Sequence, residues 1–342
     1  MTDLFTCVVI GDLHLKVSNA DRTGPLLENI IMSVTELNPD FVFVLGDILD
    51  SHGKIDMNSQ VIANRFLLKL SELSHTYVII GNHDRINNSE FLTDMHPFHM
   101  ASKLNAPVMT SKGKIEARKY DLTIIDKPRV IRIDDDNRIV LCPYVAPGRF
   151  DEALSKIEKY EMKKDIDKMK LVIAHQEFRG CDVGNSIKST KGDQWPSNRP
   201  LVISGHIHKH HQPQPNIFYA GTPYQLNYDD VGDKGIFFFK FYEKTFEHVM
   251  LDMKVPKKHT IIVNPGKLPL MDTDIEDTRF IIEDGSKVSK QWIDEAKKNG
   301  HKVIIKKDAS VMENLALKSY RDIVNDLVKD DPMARDVFMS IL

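Results

Sequence analysis

Nine polar residues of metal-binding or acid–base type stand in five short motifs along this chain of 342 residues. Each motif directly follows a short apolar run. Carboxylate and imidazole in this mixture suit Mn²⁺, Fe²⁺ or Zn²⁺, and the lack of thiolate in the motifs argues against a structural zinc site. The nine residues are Asp12, His14, Asp47, Asn82, His83, Asp84, His175, His206 and His208.

A ligand set of this size exceeds what one ion needs, whereas two ions that share a carboxylate bridge would use it fully. Two ions about 3.5–4 Å apart clamp the attacking and leaving oxygens of a phosphoester. Each motif alone is a weak signal, because Asp-x-His is common in solvated loops and Asn-His-Asp can cap a helix. All five motifs follow strand-like runs and their residue types are complementary. Together they predict a two-metal phosphoesterase.

The elements that must position these residues are short buried strands. Runs of four to six residues rich in Val, Ile and Phe and bounded by Gly are typical of such strands, and they cover residues 5–10, 41–45, 77–80, 171–174 and 201–204. Apolar residues with a helical period occupy residues 26–37 and 61–70 between them. Alternation of strands and helices predicts βαβ units and an α/β fold. In open α/β sheets the carboxyl ends of the strands line the ligand crevice, where all five motifs would lie.

The net charge of −3 excludes a chain-wide basic nucleic-acid binder, because phosphate neutralisation needs a surplus of Lys and Arg on some face. It does not exclude local patches. Residues 112–132 contain seven basic and three acidic residues, and residues 287–307 contain seven basic and two acidic residues. Either segment could contact phosphates, with a solvated helix face as the alternative for the second.

Three cysteines in the whole chain, Cys7, Cys142 and Cys181, are too few and too far apart for a disulfide framework. We expect them to be reduced and structural. The sequence shows neither a membrane-spanning run nor the layout of a signal peptide. We therefore expect an intracellular protein that does not bind membranes, in the cytoplasm or, in a eukaryotic or viral setting, in the nucleus or a virus factory.

The amino-acid composition changes near residue 254, where we place a domain boundary. Short strands around one helix predict a small α/β capping or DNA-binding domain at residues 255–308, after a phosphoesterase domain at residues 1–254. Residues 309–342 are predicted to form C-terminal helices with a narrow apolar stripe. Such helices either bind a partner or pack back on their own domain.

The motifs identify the chain as similar to the calcineurin-like metallophosphoesterases, whose signature is the ordered set Gly-Asp-x-His, Gly-Asp-x-x-Asp, Gly-Asn-His-Asp, a later His and Gly-His-x-His. Within that superfamily it resembles the SbcD-type nuclease subunits of DNA double-strand-break repair and recombination, including those of large DNA viruses and tailed phages. The run Gly221-Thr222-Pro223-Tyr224, which is not a metal motif, supports the subfamily. The resemblance implies a β-sandwich flanked by helices, with the small α/β domain and C-terminal helices appended.

The resemblance also implies how the ligands divide between two divalent metal ions, with Mn²⁺ as the expected metal and Mg²⁺ or Fe²⁺ as alternatives. It assigns Asp12, His14 and His208 to one ion, Asn82, His175 and His206 to the other, and Asp47 to the bridge between them.

The remaining motif residues receive other roles from the resemblance. His83 is the expected catalytic residue, free of metal, which stabilises the developing charge and protonates the leaving oxygen. Asp84 would orient or charge the His83 imidazole, and Asp50 would lie behind the metal ligands. For His52, His96 and His99 we expect surface or packing roles.

The loop after His175 is long enough to suggest a function. Phe178 and Trp195 flank it, either as stacking contacts for a nucleic acid or substrate base or as aromatic anchors that hold the loop.

The leading functional prediction is a DNA exonuclease with some endonuclease activity, acting with a coiled-coil ATPase of the SbcC type and able to form a homodimer. A phosphatase or cyclic-nucleotide phosphodiesterase with the same centre is the alternative. Protein phosphatases of the superfamily carry Asp-Arg-Gly where this chain has Asp50-Ser51-His52, and the missing Arg disfavours monoesters. A non-catalytic partner module is the third reading, and intact ligands at every position speak against it.

Overall fold

The computed structural model describes residues 3–103, 120–157, 169–184, 187–230, 232–263, 268, 277–283 and 288–306. Two compact units, residues 1–256 and 257–342, divide the chain. The predicted C-terminal helices at residues 309–342 lie outside the described residues, as do residues 112–119 of the first basic segment. Within the described part, no helix has the length and apolar character that crossing a membrane requires.

Two six-stranded sheets and their flanking helices make up the first unit. The strands are β1 (Phe5–Ile10), β2 (Phe41–Val44), β3 (His75–Ile79), β4 (Leu122–Ile125), β5 (Arg129–Arg132), β6 (Arg138–Cys142), β7 (Met169–His175), β8 (Leu201–Gly205), β9 (His211–Gln214), β10 (Ile217–Tyr219), β11 (Ile236–Phe241) and β12 (Phe246–Leu251). The first sheet has the order β12-β11-β1-β2-β3-β4, and the second has the order β5-β6-β7-β8-β10-β9.

Helices connect the parallel strands, as the sequence predicts. The α-helices are α1 (Ala20–Leu37), α2 (Met57–Leu73) and α3 (Phe150–Leu154), and short 3-10 helices lie at Val17–Asn19 and His99–Lys103. Strands β1, β2, β3 and β4 are mutually parallel, and so are β6, β7, β8 and β10. The prediction of βαβ units is confirmed, but neither sheet is purely parallel, because β11 pairs antiparallel with β1 and β5 pairs antiparallel with β6.

The core lies between the two sheets and on both outer faces. Phe43 of β2, Ile173 of β7, Phe218 of β10 and Phe239 of β11 belong to one buried cluster, so the sheets face each other across it. In β1, Val9 belongs to this cluster while Val8 belongs to a second cluster that includes residues of α1 and α2. Burial on both faces explains why the strands are continuous apolar runs. The α/β sandwich flanked by helices is therefore confirmed.

The loop after β7 is anchored by its aromatic residues. Phe178 and Trp195 are buried in a third cluster, together with Phe150 of α3. Their ring centroids lie 6.2 Å apart, and the Trp195 indole N–H donates to the Pro200 carbonyl at 2.9 Å. Of the two roles that the sequence left open, the structure supports the anchor.

All three cysteines are buried free thiols, as predicted. Burial raises the pKa of Cys7 and Cys142 far above the ordinary thiol range, and the nearby Asp40 and Asp193 carboxylates add to the respective shifts. The thiolate is the reactive form of cysteine, so these residues act as small apolar side chains.

The second unit contains a three-stranded parallel sheet of β13 (His259–Val263), β14 (Thr278–Ile282) and β15 (Lys302–Ile305). Helix α4 (Lys290–Lys298) packs on it through Trp292 and Ile293, which share a buried cluster with Phe280 of β14. The Ser289 hydroxyl caps the helix by accepting from the Trp292 N–H. The described part of this unit therefore contains short strands and one helix, the elements that the sequence predicts.

Candidate metal centre

The predicted ligands come together where the strands of both sheets end. Asp12 and His14 follow β1, Asp47 follows β2, and Asn82 follows β3. From the second sheet, His175 ends β7, and His206 and His208 follow β8. We call these seven residues the strand-end cluster. Five of the seven are buried, and the side chains of His206 and His208 are 19% and 39% exposed.

Three ligands of the strand-end cluster have backbone conformations that side chains rarely adopt. The φ angles are 45° at His14, 47° at Asp47 and 80° at His206. Such conformations cost on the order of 1–3 kcal/mol each and persist only where the surroundings enforce them. The backbone N–H of His14 donates to the Asp47 carbonyl at 2.9 Å, so the loops after β1 and β2 hold each other.

Glycines before the ligands allow the close approach of the two sheets. A Cβ atom at Gly205 would lie 2.6 Å from Asp12 Oδ1 and 2.8 Å from His175 Nδ1. At Gly81, a Cβ would overlap the backbone and carboxylate of Asp47 and lie 2.9 Å from His175 Cε1. Gly81 and Gly205 are therefore required for close packing inside the site.

One group of donor atoms is formed by Asp12, His14 and His208, whose ligand atoms lie within 4.8 Å of one another. Nε2 of His14 and Nε2 of His208 are 3.0 Å apart, and Nε2 of His208 is 4.0 Å from Asp12 Oδ2. The Asp12 carboxylate also accepts from the His206 backbone N–H at 3.0 Å, which ties the first strand to the loop after β8.

A second group forms around Asn82. Its side-chain oxygen is 3.0 Å from Nε2 of His175 and 2.7 Å from Nδ1 of His206. Nδ1 of His175 lies 2.7 Å from the Leu45 carbonyl and donates to it, so Nε2 is the ring nitrogen that faces the cluster.

Asp47 lies between the two groups. Its Oδ2 atom is 3.8 Å from Nε2 of His14 and 3.4 Å from Nε2 of His175. Asp47 shares one candidate metal-binding group with His14 and His83 and another with His175 and His206. This is the position that a bridging carboxylate requires.

The donor set fits two divalent cations. The donors are nitrogen and oxygen only, and their spacings of 2.7–4.0 Å match ligand atoms around an ion with bonds of about 2.0–2.2 Å. Imidazole with carboxylate and amide oxygen suits Mn²⁺, Fe²⁺ or Zn²⁺. The donor atoms therefore have the arrangement that the predicted metal-binding phosphoesterase centre requires.

The charges of the cluster favour a cation. Burial raises the pKa of Asp12 to about 8; His175 opposes this shift, and the Asp47 carboxylate adds to it. Burial alone would lower the pKa of His175, but the Asp47 and Asp12 carboxylates raise it to about 9. Burial lowers the pKa of His14 to about 3, which leaves its imidazole neutral and able to ligate. Carboxylates concentrated in a buried site are stabilised by a compensating positive charge.

His83 lies beside the strand-end cluster. Its ring centroid is 4.9 Å from that of His14, with the rings nearly perpendicular. Its Nδ1 atom is 2.7 Å from the Asp50 carbonyl, and its backbone N–H donates to Asp47 Oδ1 at 2.8 Å. A carbonyl oxygen only accepts, so Nδ1 carries a proton and Nε2 is the atom left to exchange one. His52 stacks on the other side of the ring at 4.5 Å.

The structure corrects the role predicted for Asp84. Its carboxylate accepts three backbone N–H bonds, from Ile48 at 2.9 Å, from Leu49 at 3.1 Å and from Gly81 at 3.1 Å. It therefore joins the loops after β2 and β3, and the Asp50 carbonyl takes the part of orienting the His83 ring. Hydrogen bonds to backbone groups, such as these, cannot be recognised from the sequence.

Asp50 lies next to His14, one of the candidate ligands. Its Oδ1 atom is 3.6 Å from Nδ1 of His14 and 3.0 Å from the Lys16 ammonium.

Sequence reasoning missed Glu177, whose Oε2 is 3.9 Å from Nε2 of His206 and whose pKa is lowered by that contact. Glu177 stands two residues after His175, a spacing that could have suggested it.

Two cavities lie beside the centre. One, of about 470 Å³, is lined by His83 together with the apolar residues Leu49, Ile55, Ile86 and Met95. The other, of about 420 Å³, is lined by His206 and His208 together with polar residues such as Asn227 and Asp230.

Comparison with known proteins places this geometry in context. A family model for calcineurin-like phosphoesterases matches residues 5–210, a range that contains all seven residues of the strand-end cluster. Protein 078R of Invertebrate iridescent virus 3, provisionally named a phosphoesterase, is 38% identical over 251 residues, which cover 72% of this chain and 66% of that protein. Protein 244L of Invertebrate iridescent virus 6, named in the same way, is 33% identical over 258 residues, which cover 74% of this chain and 84% of that protein.

Among solved structures, a dimetal phosphatase from Danio rerio has a TM-score of 0.40 and 11% identity, covering 74% of this chain and 97% of its own.

Substitution of Gly205 by Ala tests the close packing of the site. We expect Gly205→Ala to lower the free energy of unfolding by about 1–3 kcal/mol, because the new methyl group would overlap Asp12 and His175. Gly24→Ala is the matched control: nothing lies within 4 Å of a Cβ there, and the residue is helical. Urea unfolding should show the control unchanged or up to about 1 kcal/mol more stable. Equal stability of the two variants would contradict the packing argument.

Substitution of Asp84 by Asn tests its loop-joining role. The amide can keep one oxygen acceptor but turns its NH₂ group toward a backbone N–H, so Asp84→Asn should cost about 1–3 kcal/mol in urea unfolding. Asp233→Asn, at an exposed position, should cost less than about 0.5 kcal/mol. A neutral Asp84→Asn would show that the three bonds do not hold the loops.

Proposed function

The chain belongs to the calcineurin-like phosphoesterase family, and from that membership we propose that it is a two-metal phosphodiesterase that cleaves DNA. More closely, we propose an SbcD-type exonuclease and endonuclease of double-strand-break repair or recombination that uses Mn²⁺ and works with an SbcC-type coiled-coil ATPase.

One observation carries the two-metal part of this proposal. Asp47 belongs to two donor groups at once, with His14 on one side and His175 on the other. The residues that would hold the ions are Asp12, His14 and His208 on the first side and Asn82, His175 and His206 on the second. Two divalent cations bound there would supply Lewis-acid stabilisation of phosphoryl charge and lower the pKa of water.

The chain itself contributes the proton chemistry. The Asp50 carbonyl fixes the His83 ring through Nδ1, so that Nε2 can donate a proton to the leaving oxygen of a phosphate ester held at the cluster. Asp47 positions the same residue through its backbone N–H. The ring of His52 limits the movement of His83 from the outer side.

The surroundings favour a diester over a monoester. A phosphodiester carries two substituents on phosphorus, and two cavities lie beside the cluster. A terminal phosphate is usually clamped by a bidentate Arg. Near this site, the Arg85 guanidinium is committed to the Tyr144 and Glu90 carbonyls, and Lys16 is paired with Asp50.

The apolar wall of the first cavity suits a planar, weakly polar group. Leu49, Ile55, Ile86 and Met95 line it beside His83. The imidazole rings of His83 and His99 also line this cavity, and nucleobases stack on aromatic rings with little dependence on sequence. This supports a nucleic-acid substrate whose scissile phosphate lies at the cluster.

The run Gly221-Thr222-Pro223-Tyr224 supports the SbcD-type assignment, because it builds part of the site. The Tyr224 hydroxyl donates to the Leu13 carbonyl at 3.1 Å, beside His14. The Thr222 N–H donates to the His208 carbonyl at 3.0 Å. The run therefore holds both loops that bear the first donor group. The partner assignment rests on the resemblance alone, since residues 309–342 lie outside the described residues.

Parallel assays on two kinds of ester test the proposal. With Mn²⁺, we expect the purified chain to degrade end-labelled duplex and single-stranded DNA and to hydrolyse bis-p-nitrophenyl phosphate faster than p-nitrophenyl phosphate. Turnover of the monoester without degradation of DNA, with or without an ATPase partner, would overturn the nuclease assignment and leave the phosphatase alternative.

The role of His83 has its own test. His83→Ala should lower the cleavage rate by about 10²–10⁴-fold while both equivalents of Mn²⁺ remain bound in equilibrium dialysis. Asp47→Ala, the contrasting variant, should lose binding of both ions because the bridge is gone. Loss of an ion in His83→Ala would show that His83 is a ligand rather than the proton donor.

A further inference from the structure

A third group of metal-binding side chains lies apart from the strand-end cluster. One ligand atom from each of His96, His99 and Asp126 lies within 4.8 Å of the other two. Asp126 follows β4 directly, and His99 begins the 3-10 helix His99–Lys103. No sequence pattern links these residues, because Asp126 is separated from the two histidines by more than 25 positions.

His96 is an unusual buried residue. Its side chain is 0% exposed, and both ring nitrogens are buried without a hydrogen-bond partner. A buried polar group without a partner costs about 1–3 kcal/mol, so such groups are rare unless another ligand satisfies them. Of the surface and packing roles expected for His96, burial excludes the surface role. Its Nε2 atom faces Asp126 Oδ2 at 3.6 Å, beyond hydrogen-bond distance.

The spacing of the three side chains suits a small cation. In a tetrahedral site with bonds of about 2.0–2.2 Å, ligand atoms are about 3.3–3.6 Å apart, which matches the separation of His96 from Asp126. The rings of His96 and His99 have centroids 6.0 Å apart and an interplanar angle of 65°. Two imidazoles and one carboxylate with no sulfur are a common zinc-binding set.

We propose that His96, His99 and Asp126 form a third divalent-cation site that takes Zn²⁺, one strand further along the edge of the sheet than the strand-end cluster. Three protein ligands leave one coordination position for water or another small ligand. His96 and His99 also line the cavity beside His83, so the cation fixes the wall of that cavity to the end of β4. The site goes beyond the proposed function and does not depend on it.

Metal counting on the full-length chain tests this site. After removal of metals by chelation, the wild type and two variants are dialysed against Zn²⁺, and bound zinc is measured by mass spectrometry. We expect His99→Ala and Asp126→Asn each to bind one equivalent less than the wild type, since loss of one ligand weakens the site by more than about 100-fold. The difference between proteins is counted, so zinc at the strand-end cluster does not affect the result.

His75→Ala is the matched control. His75 and Asp121 form a histidine–aspartate pair at 3.2 Å at the opposite end of the same two strands, and within the described residues they belong to no group of three such donors. This variant should keep the full zinc content. Asp126→Asn keeps the size and shape of the side chain, so it disturbs the fold less than a truncation would. Circular dichroism checks the fold of every variant. Equal zinc content in all four proteins, or an equal loss in His75→Ala, would overturn the proposal.

Discussion

The site depends on the carboxylate of Asp47, a residue whose backbone conformation is rarely adopted by residues other than glycine. Its φ angle of 47° is kept because its own carbonyl accepts from the loop after β1 and its Oδ1 accepts from His83. The other oxygen then lies between His14 and His175, which come from different sheets. Burial would raise the pKa of Asp47, but His175 and His14 hold it well below its usual range, so the group is anionic.

The two-sheet architecture follows from this requirement. One sheet supplies Asp12, His14, Asp47 and Asn82, and the other supplies His175, His206 and His208, so each of the two expected ligand sets draws on both sheets. The buried cluster between the sheets, with Phe43 and Ile173 among its members, fixes the distance between the strand ends. Glycines such as Gly81 and Gly205 then let the loops approach closely enough for the donors to converge.

Much of this arrangement could be predicted from the sequence, because short apolar runs that end in Gly and a metal-binding side chain encode both the strand and the position of the ligand. The seven donors and the βαβ connections follow from that pattern. The hydrogen bonds of Asp84, the Asp50 carbonyl behind His83 and the contact of Glu177 with His206 do not, because they join backbone or distant side chains. The burial of His96 could not be predicted either, because it lies against Asp126 at the end of β4, a strand of only four residues.

Anomalous diffraction from crystals grown with Mn²⁺ tests most directly whether Asp47 is shared by two ions. We expect two manganese peaks, one on each side of the Asp47 carboxylate and about 3.5–4 Å apart. One peak should lie beside Asp12, His14 and His208, and the other beside Asn82, His175 and His206. A single peak, or two peaks of which one lies out of reach of Asp47, would contradict this expectation.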